Sequence, residues 1–194
     1  MSFHQEHEEA LFEEATKLIP QFNFIKEDIG SLGMIQVIYE HIDTAMEKSG
    51  LWEKATCKGA CSFCCHDTIL MPPLEAEYVQ EILNMNDIRG NTKRKELQSS
   101  GKDISFMDKA CPYLADENED GNRLCSIYEV RPIVCRTHNS TEPIEFCNKE
   151  EYPNRFINEG RIISVEAVTL ALMMMKHEVD EKGIPTMIPI HTLV

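Results

Sequence analysis

The stretch Cys57-Lys-Gly-Ala-Cys61-Ser-Phe-Cys64-Cys65 decides the architecture of this chain, because it places four thiols within nine residues. Thiolates this close repel one another unless a cation holds them together. Gly59 and the small residues beside it leave room for the backbone to wrap around a metal with its amides turned towards the sulfurs. Neighbouring side chains point in different directions. One of the adjacent pair Cys64 and Cys65 is therefore expected to face a second metal or to serve a second role.

Single thiols follow at wider spacing further along the chain. Cys111 begins CPYL, Cys125 begins CSIYEVRP, Cys135 precedes an arginine, and Cys147 comes last. Four thiols from distant segments can complete sites that the first four begin. Eight ligands suit two tetrahedral four-sulfur sites, or one cluster with additional catalytic or structural thiols. The predicted metal ligands are Cys57, Cys61, Cys64, Cys65, Cys111, Cys125, Cys135 and Cys147.

The cysteines are interpreted as reduced thiols in a cytoplasmic protein. The start of the chain, MSFHQEHEEALFEEATK, has neither the basic nor the apolar region of a signal peptide. No apolar run approaches the roughly 18 residues of a membrane-spanning helix. Eight cysteines could form four disulfides in a secreted scaffold, but such scaffolds are short, and the first 56 and last 47 residues here contain no cysteine.

The charge balance bears on the partners. The chain carries 33 acidic and 19 basic residues, a formal net charge of −14. Nucleic-acid affinity depends on Lys and Arg side chains that neutralise phosphates. A zinc finger that binds DNA is therefore excluded, and an anionic membrane surface is disfavoured for the same reason. The sequence leaves open which protein or small molecule is the partner.

Helical periodicity marks both ends of the chain. The segment 2–49 is predicted to be helical, with Pro20 ending a first, acidic helix. The second helix carries apolar residues at spacings of three and four, which are Ile25, Ile29, Leu32, Ile35, Ile38, Ile42 and Ala45. Further helices are predicted at 73–86 and at 161–182.

The expected fold is mostly α, with a single domain over residues 1–194. Packed helices would surround a loop-rich, cysteine-lined metal or cluster centre at 57–147. The polar stretch 87–103 is expected to be a solvated loop or short helix without a function of its own. The apolar tail 186–194 is expected to dock against the body of the protein or a partner.

Three further side chains lie beside cysteines. Arg136 could donate hydrogen bonds to a sulfur or an anionic substrate, or form an ordinary surface salt bridge. His66 or His138 could replace a cysteine as a ligand, but with eight thiols available we favour a role beyond the ligands or in solvent. A catalytic residue cannot be selected among so many thiols.

The C-x-x-x-C-x-x-C-C cluster that begins at Cys57, the CPYL at Cys111, the CSIYEVRP at Cys125 and the CR at Cys135 resemble the zinc- or iron-chelating family called CxxCxxCC or YkgJ-type. The first gap differs, because it holds three residues rather than two. The resemblance implies metal chelation by eight cysteines but no settled reaction. The flagellin lysine N-methylase, a distant relative, shares such a cluster, so S-adenosylmethionine-dependent methyl transfer is a further alternative.

The spacing Cys57-x-x-x-Cys61-x-Phe63-Cys64 also resembles the radical S-adenosylmethionine signature. Enzymes of that class use a partial barrel of repeated strand–helix units, and the sequence after the motif shows no such alternation. The adjacent Cys65 and the four later cysteines are foreign to the pattern. This class is therefore disfavoured.

Two function hypotheses remain. In the favoured one, the chain is an iron–sulfur protein with a redox or group-transfer role, in which Cys57, Cys61, Cys64 and at least one later cysteine hold the cluster. In the alternative, Zn²⁺ ions staple the centre of a non-enzymatic interaction or metal-handling module. The cofactor is accordingly an iron–sulfur cluster or Zn²⁺, with iron favoured.

Overall fold

Helices flank an irregular centre in the computed structural model of this chain. The structure describes residues 3–57, 61–100, 109–119, 123–152, 162–175 and 186–193. Its elements are α1 (Phe3–Lys48), α2 (Leu51–Lys54), β1 (Leu70–Met71), α3 (Pro73–Met85), α4 (Thr92–Ser99), α5 (Ile133–Thr137), α6 (Ile163–Met175) and β2 (Ile188–Pro189). Short 3-10 helices lie at Phe63–His66, Tyr128–Val130, Ile144–Cys147 and Ile190–Thr192. The predicted class, a mostly α single domain, is confirmed.

The long first helix corrects the prediction that Pro20 ends a helix. Pro20 lies inside α1, and the interruption comes at Gly30, whose φ of 78° and ψ of 172° are not helical. A proline costs a helix interior about 3 kcal/mol, but Ala15 and Phe22 on either side of it are both buried in the core. Their packing keeps the helix continuous through Pro20. Gly30 breaks it because only glycine adopts this backbone conformation readily.

The main packing interface joins α1 to α6, and α3 and α5 also pack against α1. Within the predicted stripe, Ile35, Ile38 and Ile42 are buried, whereas Ile29 is half exposed. Ile29 lies in the part of α1 that precedes the break at Gly30. Its side chain therefore does not point in the same direction as the side chains after the break. The fully buried side chains that fill the core include Met34, Ile35, Ile42, Met46, Met71, Val79, Leu83, Tyr113, Val168 and Leu172.

The predicted helix 161–182 is confirmed as far as the structure describes it. Helix α6 covers Ile163–Met175, with Val168 and Leu172 in the core. Met174 and Met175 are partly buried against that core. Residues 176–182 lie outside the described part of the chain.

The C-terminal tail docks against the body of the protein, as expected. Strand β2 pairs antiparallel with β1, and Ile190 and Leu193 are buried. The hydroxyl of Tyr113 donates to the carbonyl oxygen of Leu193 at 3.1 Å. Across the described residues, no helix has the length and apolar character needed to cross a membrane.

Candidate metal centre

The first cysteine group is held by backbone contacts. Cys57, Cys61, Cys64 and Cys65 are half-buried, and the last two lie in the 3-10 helix Phe63–His66. The predicted backbone wrapping at Gly59 lies outside the described residues. The amide N–H of Cys65 donates to the carbonyl oxygen of Ser62 at 2.9 Å, which starts the 3-10 turn. The four thiols are thus presented from one short segment.

Thr56 ties this segment to the chain that follows α5. Its amide N–H donates to the carbonyl oxygen of Ser140 at 2.7 Å. Its hydroxyl lies 3.0 Å from that same oxygen and 2.5 Å from the carbonyl oxygen of Glu142. Ser140 is fully buried. Cys57, the next residue, is therefore fixed beside the segment that carries His138.

Backbone hydrogen bonds bring three thiols from distant segments together. The amide N–H of Cys111 donates to the carbonyl oxygen of Cys65 at 2.6 Å. Leu114 and Cys125 form an isolated antiparallel bridge, and the amide N–H of Ser126 donates to the carbonyl oxygen of Tyr113 at 2.8 Å. Cys65, Cys111 and Cys125 consequently lie on backbone segments that neighbour one another.

Helix α5 carries Cys135, and a buried carboxyl group holds the first residue of this helix. Helix α5 begins at Ile133, directly after Pro132. The amide N–H of Ile133 donates to Oε1 of Glu75 at 2.6 Å, and the Tyr39 hydroxyl donates to the same oxygen at 2.9 Å. Glu75 is fully buried, and burial raises its pKa from 4.5 to about 7. A network joining α1, α3 and α5 thus positions the helix that carries Cys135.

Helix α4 holds the Cys111 loop, a role that the sequence analysis did not assign to residues 87–103. The amide N–H of Asn91 donates to the carbonyl oxygen of Pro112 at 2.8 Å. The guanidinium of Arg94 donates to the carbonyl oxygen of Leu114 and to Asp116, the latter at 2.7 Å. The polar composition of residues 87–103 does not reveal a contact with a loop twenty residues away.

Several sulfurs accept hydrogen bonds from backbone amides. The N–H groups of Phe63, Tyr113 and Ile127 donate to the sulfurs two residues earlier, which belong to Cys61, Cys111 and Cys125. The N–H of Ser140 donates to Cys57. Amide hydrogen bonds favour the thiolate over the thiol. The backbone is therefore arranged to stabilise negatively charged sulfur.

The thiols fall into two electrostatic classes. The thiol of Cys61 donates to Cys57 and lowers the pKa of Cys57 to about 6. The thiol of Cys65 likewise lowers the pKa of Cys64 to about 7. Burial, in contrast, raises the pKa of Cys111 to about 11 and that of Cys125 and Cys135 above its ordinary value.

Buried thiols of the second class become thiolates only when a positive charge is present. Arg94 acts on Cys111 and Arg131 acts on Cys125, and each lowers the pKa of its thiol against the larger effect of burial. A metal ion would supply the missing positive charge. The donor chemistry therefore fits a thiolate-bound metal at the buried thiols.

Arg136 forms a salt bridge, one of the two roles that the sequence suggested, but its side chain does not lie at the surface. It is 4% exposed, whereas the side chain of its partner Asp43 is 40% exposed. It donates to Asp43 at 2.5 Å and to the carbonyl oxygens of Arg131 and Glu129 rather than to a sulfur. Its guanidinium also lies 4.0 Å from the centre of the Tyr39 ring. Arg136 is a structural cation that braces α5 against α1.

The two histidines differ in their surroundings. His66 is fully buried, so a solvent role for it was wrong. His138 is partly buried at the end of α5, and its charge lowers the pKa of both Cys57 and Cys64. His138 is thus close enough to act on two candidate ligands, a proximity that the sequence could not specify.

Interactions among the sulfurs link seven of the eight predicted ligands. Charge interactions connect Cys64 with Cys125 and Cys135, and Cys65 with Cys111. Cys147 is buried in the 3-10 helix Ile144–Cys147, and its place in the site stays a prediction. In the described ranges, no three Cys, His, Asp or Glu side chains stand in a ready coordination geometry.

Comparison with known proteins agrees with this assembly of thiols. The sequence model of the CxxCxxCC family, described as a "putative zinc- or iron-chelating domain", matches residues 56–155. No curated protein and no solved structure matches the chain. The matched region contains all eight cysteines and more than half of the chain. The chain therefore belongs to the CxxCxxCC family of metal-chelating domains.

Proposed function

We propose that this metal-binding chain is an iron–sulfur protein with a redox or group-transfer role. The observation that supports it best is the combination of burial and amide hydrogen bonding at the sulfurs. Cys111 belongs to the hydrophobic core, and Cys65, Cys125 and Cys135 pack against it. Solvent exclusion and hydrogen bonds to sulfur are the two means by which a protein sets the potential of an iron–sulfur cluster.

The residues around the thiols would perform three tasks. Tyr113, Leu114, Ile127 and Ile133, all buried, would keep water away from the sulfurs. The amide N–H groups two residues after Cys61, Cys111 and Cys125 would stabilise the thiolates. Arg94 and Arg131 would offset part of the negative charge. A bound cluster would supply one-electron chemistry.

Anaerobic purification tests this proposal. We expect brown protein with broad visible absorption, and iron and acid-labile sulfide in comparable amounts. Cys111→Ser should bleach the absorption, because a serine hydroxyl is a poor ligand for the cluster. Ser62→Ala in the same cysteine-rich region is the matched control and should keep it. Colourless protein with stoichiometric zinc and no sulfide would exclude the iron–sulfur function.

A structural zinc module is the second candidate. It is favoured because several thiols lie on loops that contact one another. Cys65, Cys111 and Cys125 join backbones that contain few regular elements in the described residues. Zn²⁺ has no redox chemistry, so this function predicts no electron transfer. Removing zinc with a chelator should then loosen the region from Cys57 to Cys147, as seen by limited proteolysis. An unchanged digestion pattern would contradict a stapling role.

A further inference from the structure

The C-terminal segment 186–193, here called the strap, is bound to the chain that follows the first cysteine group. Strand β2 belongs to the strap and pairs antiparallel with β1. The amide N–H of Ile190 donates to the carbonyl oxygen of Ile69 at 2.9 Å, and the Ile190 side chain is buried in the core. Ile69 lies four residues after Cys65. One set of strap contacts is therefore made with the chain just beyond a predicted ligand.

Tyr113 joins the strap to the loop that carries Cys111. Its hydroxyl donates to the carbonyl oxygen of Leu193 at 3.1 Å, and its side chain is buried. Cys111 lies two residues earlier. The amide N–H of Leu114 donates to the carbonyl oxygen of Cys111 at 3.1 Å and closes the turn that contains both residues. The strap therefore contacts the turn that presents Cys111.

The backbone of Tyr113 extends this connection to Cys125. The amide N–H and the hydroxyl of Ser126, the residue after Cys125, donate to the carbonyl oxygen of Tyr113 at 2.8 and 2.9 Å. The 3-10 helix Ile190–Thr192 of the strap also packs against α4, the helix that holds the same loop. A shift of Tyr113 would therefore move the segments of Cys111 and Cys125 together.

The strap thus touches both sides of a junction between predicted ligands. The amide N–H of Cys111 donates to the carbonyl oxygen of Cys65 at 2.6 Å, and the strap binds the chain shortly after each of these two residues. When the strap is docked, it limits how far the two segments can separate. Coupling between two binding events is reciprocal, so a metal held by these segments would also favour the docked strap.

We propose that the strap is a retention device for the metal. When it is docked through Tyr113 and Ile190, it keeps Cys65, Cys111 and Cys125 in place, and its undocking is the local opening through which metal leaves. Segments of a folded protein open locally at a lower free energy than global unfolding requires. The inference rests on the metal binding that both candidate functions share, and it holds for iron and for zinc.

Release of Zn²⁺ from the zinc-loaded full chain to an excess of a coloured chelator tests this proposal. Tyr113→Phe removes the hydroxyl that bonds to Leu193 and should release zinc about fivefold faster, which is the effect expected for the loss of one hydrogen bond. Ile190→Ala should release zinc about tenfold faster or more, because truncation of a buried isoleucine weakens the packing of the strap. Tyr128→Phe makes the same change at a tyrosine that is 58% exposed, and this matched control should keep the parent rate.

A core variant separates the strap from a general loss of stability. Val168 is buried on α6, and Val168→Ala should lower the midpoint of urea denaturation at least as much as Tyr113→Phe does. Its zinc release should nevertheless stay at the parent rate, because its strap is intact. Circular dichroism checks that the helices of every variant remain folded. If Ile190→Ala does not fold, Tyr113→Phe and Val168→Ala still decide the question.

Two results would overturn the retention role. One is zinc release at the parent rate from Tyr113→Phe; the other is equal acceleration in Val168→Ala, which would mean that metal leaves through global unfolding. The iron–sulfur proposal is decided separately. Brown, sulfide-containing parent protein with parent release rates in the strap variants would refute the strap alone, and colourless zinc protein with fast release from these variants would refute the iron–sulfur function alone.

Discussion

The buried carboxyl group of Glu75 makes the stability of this protein depend on pH in an unusual direction. Burial raises its pKa from 4.5 to about 7, against opposing hydrogen bonds from Ile133 and Tyr39 and the nearby charge of Arg136. Between these two values the folded protein binds more protons than the unfolded chain, so stability falls as pH rises. The free energy of unfolding falls by about 1.4 kcal/mol for each pH unit in that window. Above pH 7 the ionised Glu75 therefore lowers the free energy of unfolding by about 3 kcal/mol.

Replacing this carboxyl group with an amide should remove the cost. Glu75→Gln keeps an oxygen that can accept from the Tyr39 hydroxyl and the Ile133 amide, but it carries no charge to bury. We expect the free energy of unfolding of the variant to exceed that of the parent by about 3 kcal/mol at pH 8. This difference should shrink towards zero as pH falls to 5. For a chain of this size, that gain corresponds to a rise in melting temperature of about 6–12 °C.

Thermal melts of both proteins across pH 5–8 measure this difference, and metal loss common to both cancels in the comparison. Glu81→Gln, an exposed carboxyl group on the same helix, is the matched control and should differ from the parent by less than about 0.5 kcal/mol at every pH. A Glu75→Gln variant that melts below the parent at pH 8 would refute the reasoning. In that case the ionised carboxylate would be stabilised by Arg136.

Three further substitutions probe the scaffold by urea denaturation. Arg136→Lys should lower the free energy of unfolding by about 2 kcal/mol, because one ammonium group cannot reach all the partners that the guanidinium group contacts. An unchanged midpoint of urea denaturation would contradict a bracing role. Gly90→Ala would bring a methyl group within 3.1 Å of Pro112 and should lower the free energy of unfolding by about 1–3 kcal/mol. A stabilised variant would show that the loop at Pro112 can move to make room for the methyl group. Gly30→Ala meets no steric obstacle but should cost about 1–3 kcal/mol through its backbone conformation alone, and no loss would mean that the break in α1 is not needed.

Elements defined by local periodicity could be predicted from the sequence. Helices α3 and α6 follow from apolar spacing over about three turns, and α5 from Pro132 at its start. The break in α1 could not be placed in this way, because Pro20 is the stronger local signal. The helix passes through Pro20 because residues on both sides are packed in the core.

The ligand types could be predicted, but their arrangement could not. Clustering of thiols identifies metal chelation, whereas the way in which the thiols come together depends on contacts between distant segments. The bond from Cys111 to Cys65 spans 46 residues, and that from Thr56 to Ser140 spans 84. The burial of Glu75 is likewise set by partners on α1 and α5 rather than by its own helix.

X-ray absorption spectroscopy at the metal edge of native protein tests the central claim, that the cysteines gather around a metal, most directly. The account predicts bound metal with sulfur as the dominant ligand, and a short metal–metal distance where an iron–sulfur cluster is present. Metal-free protein, or metal surrounded by oxygen and nitrogen without sulfur, would contradict it.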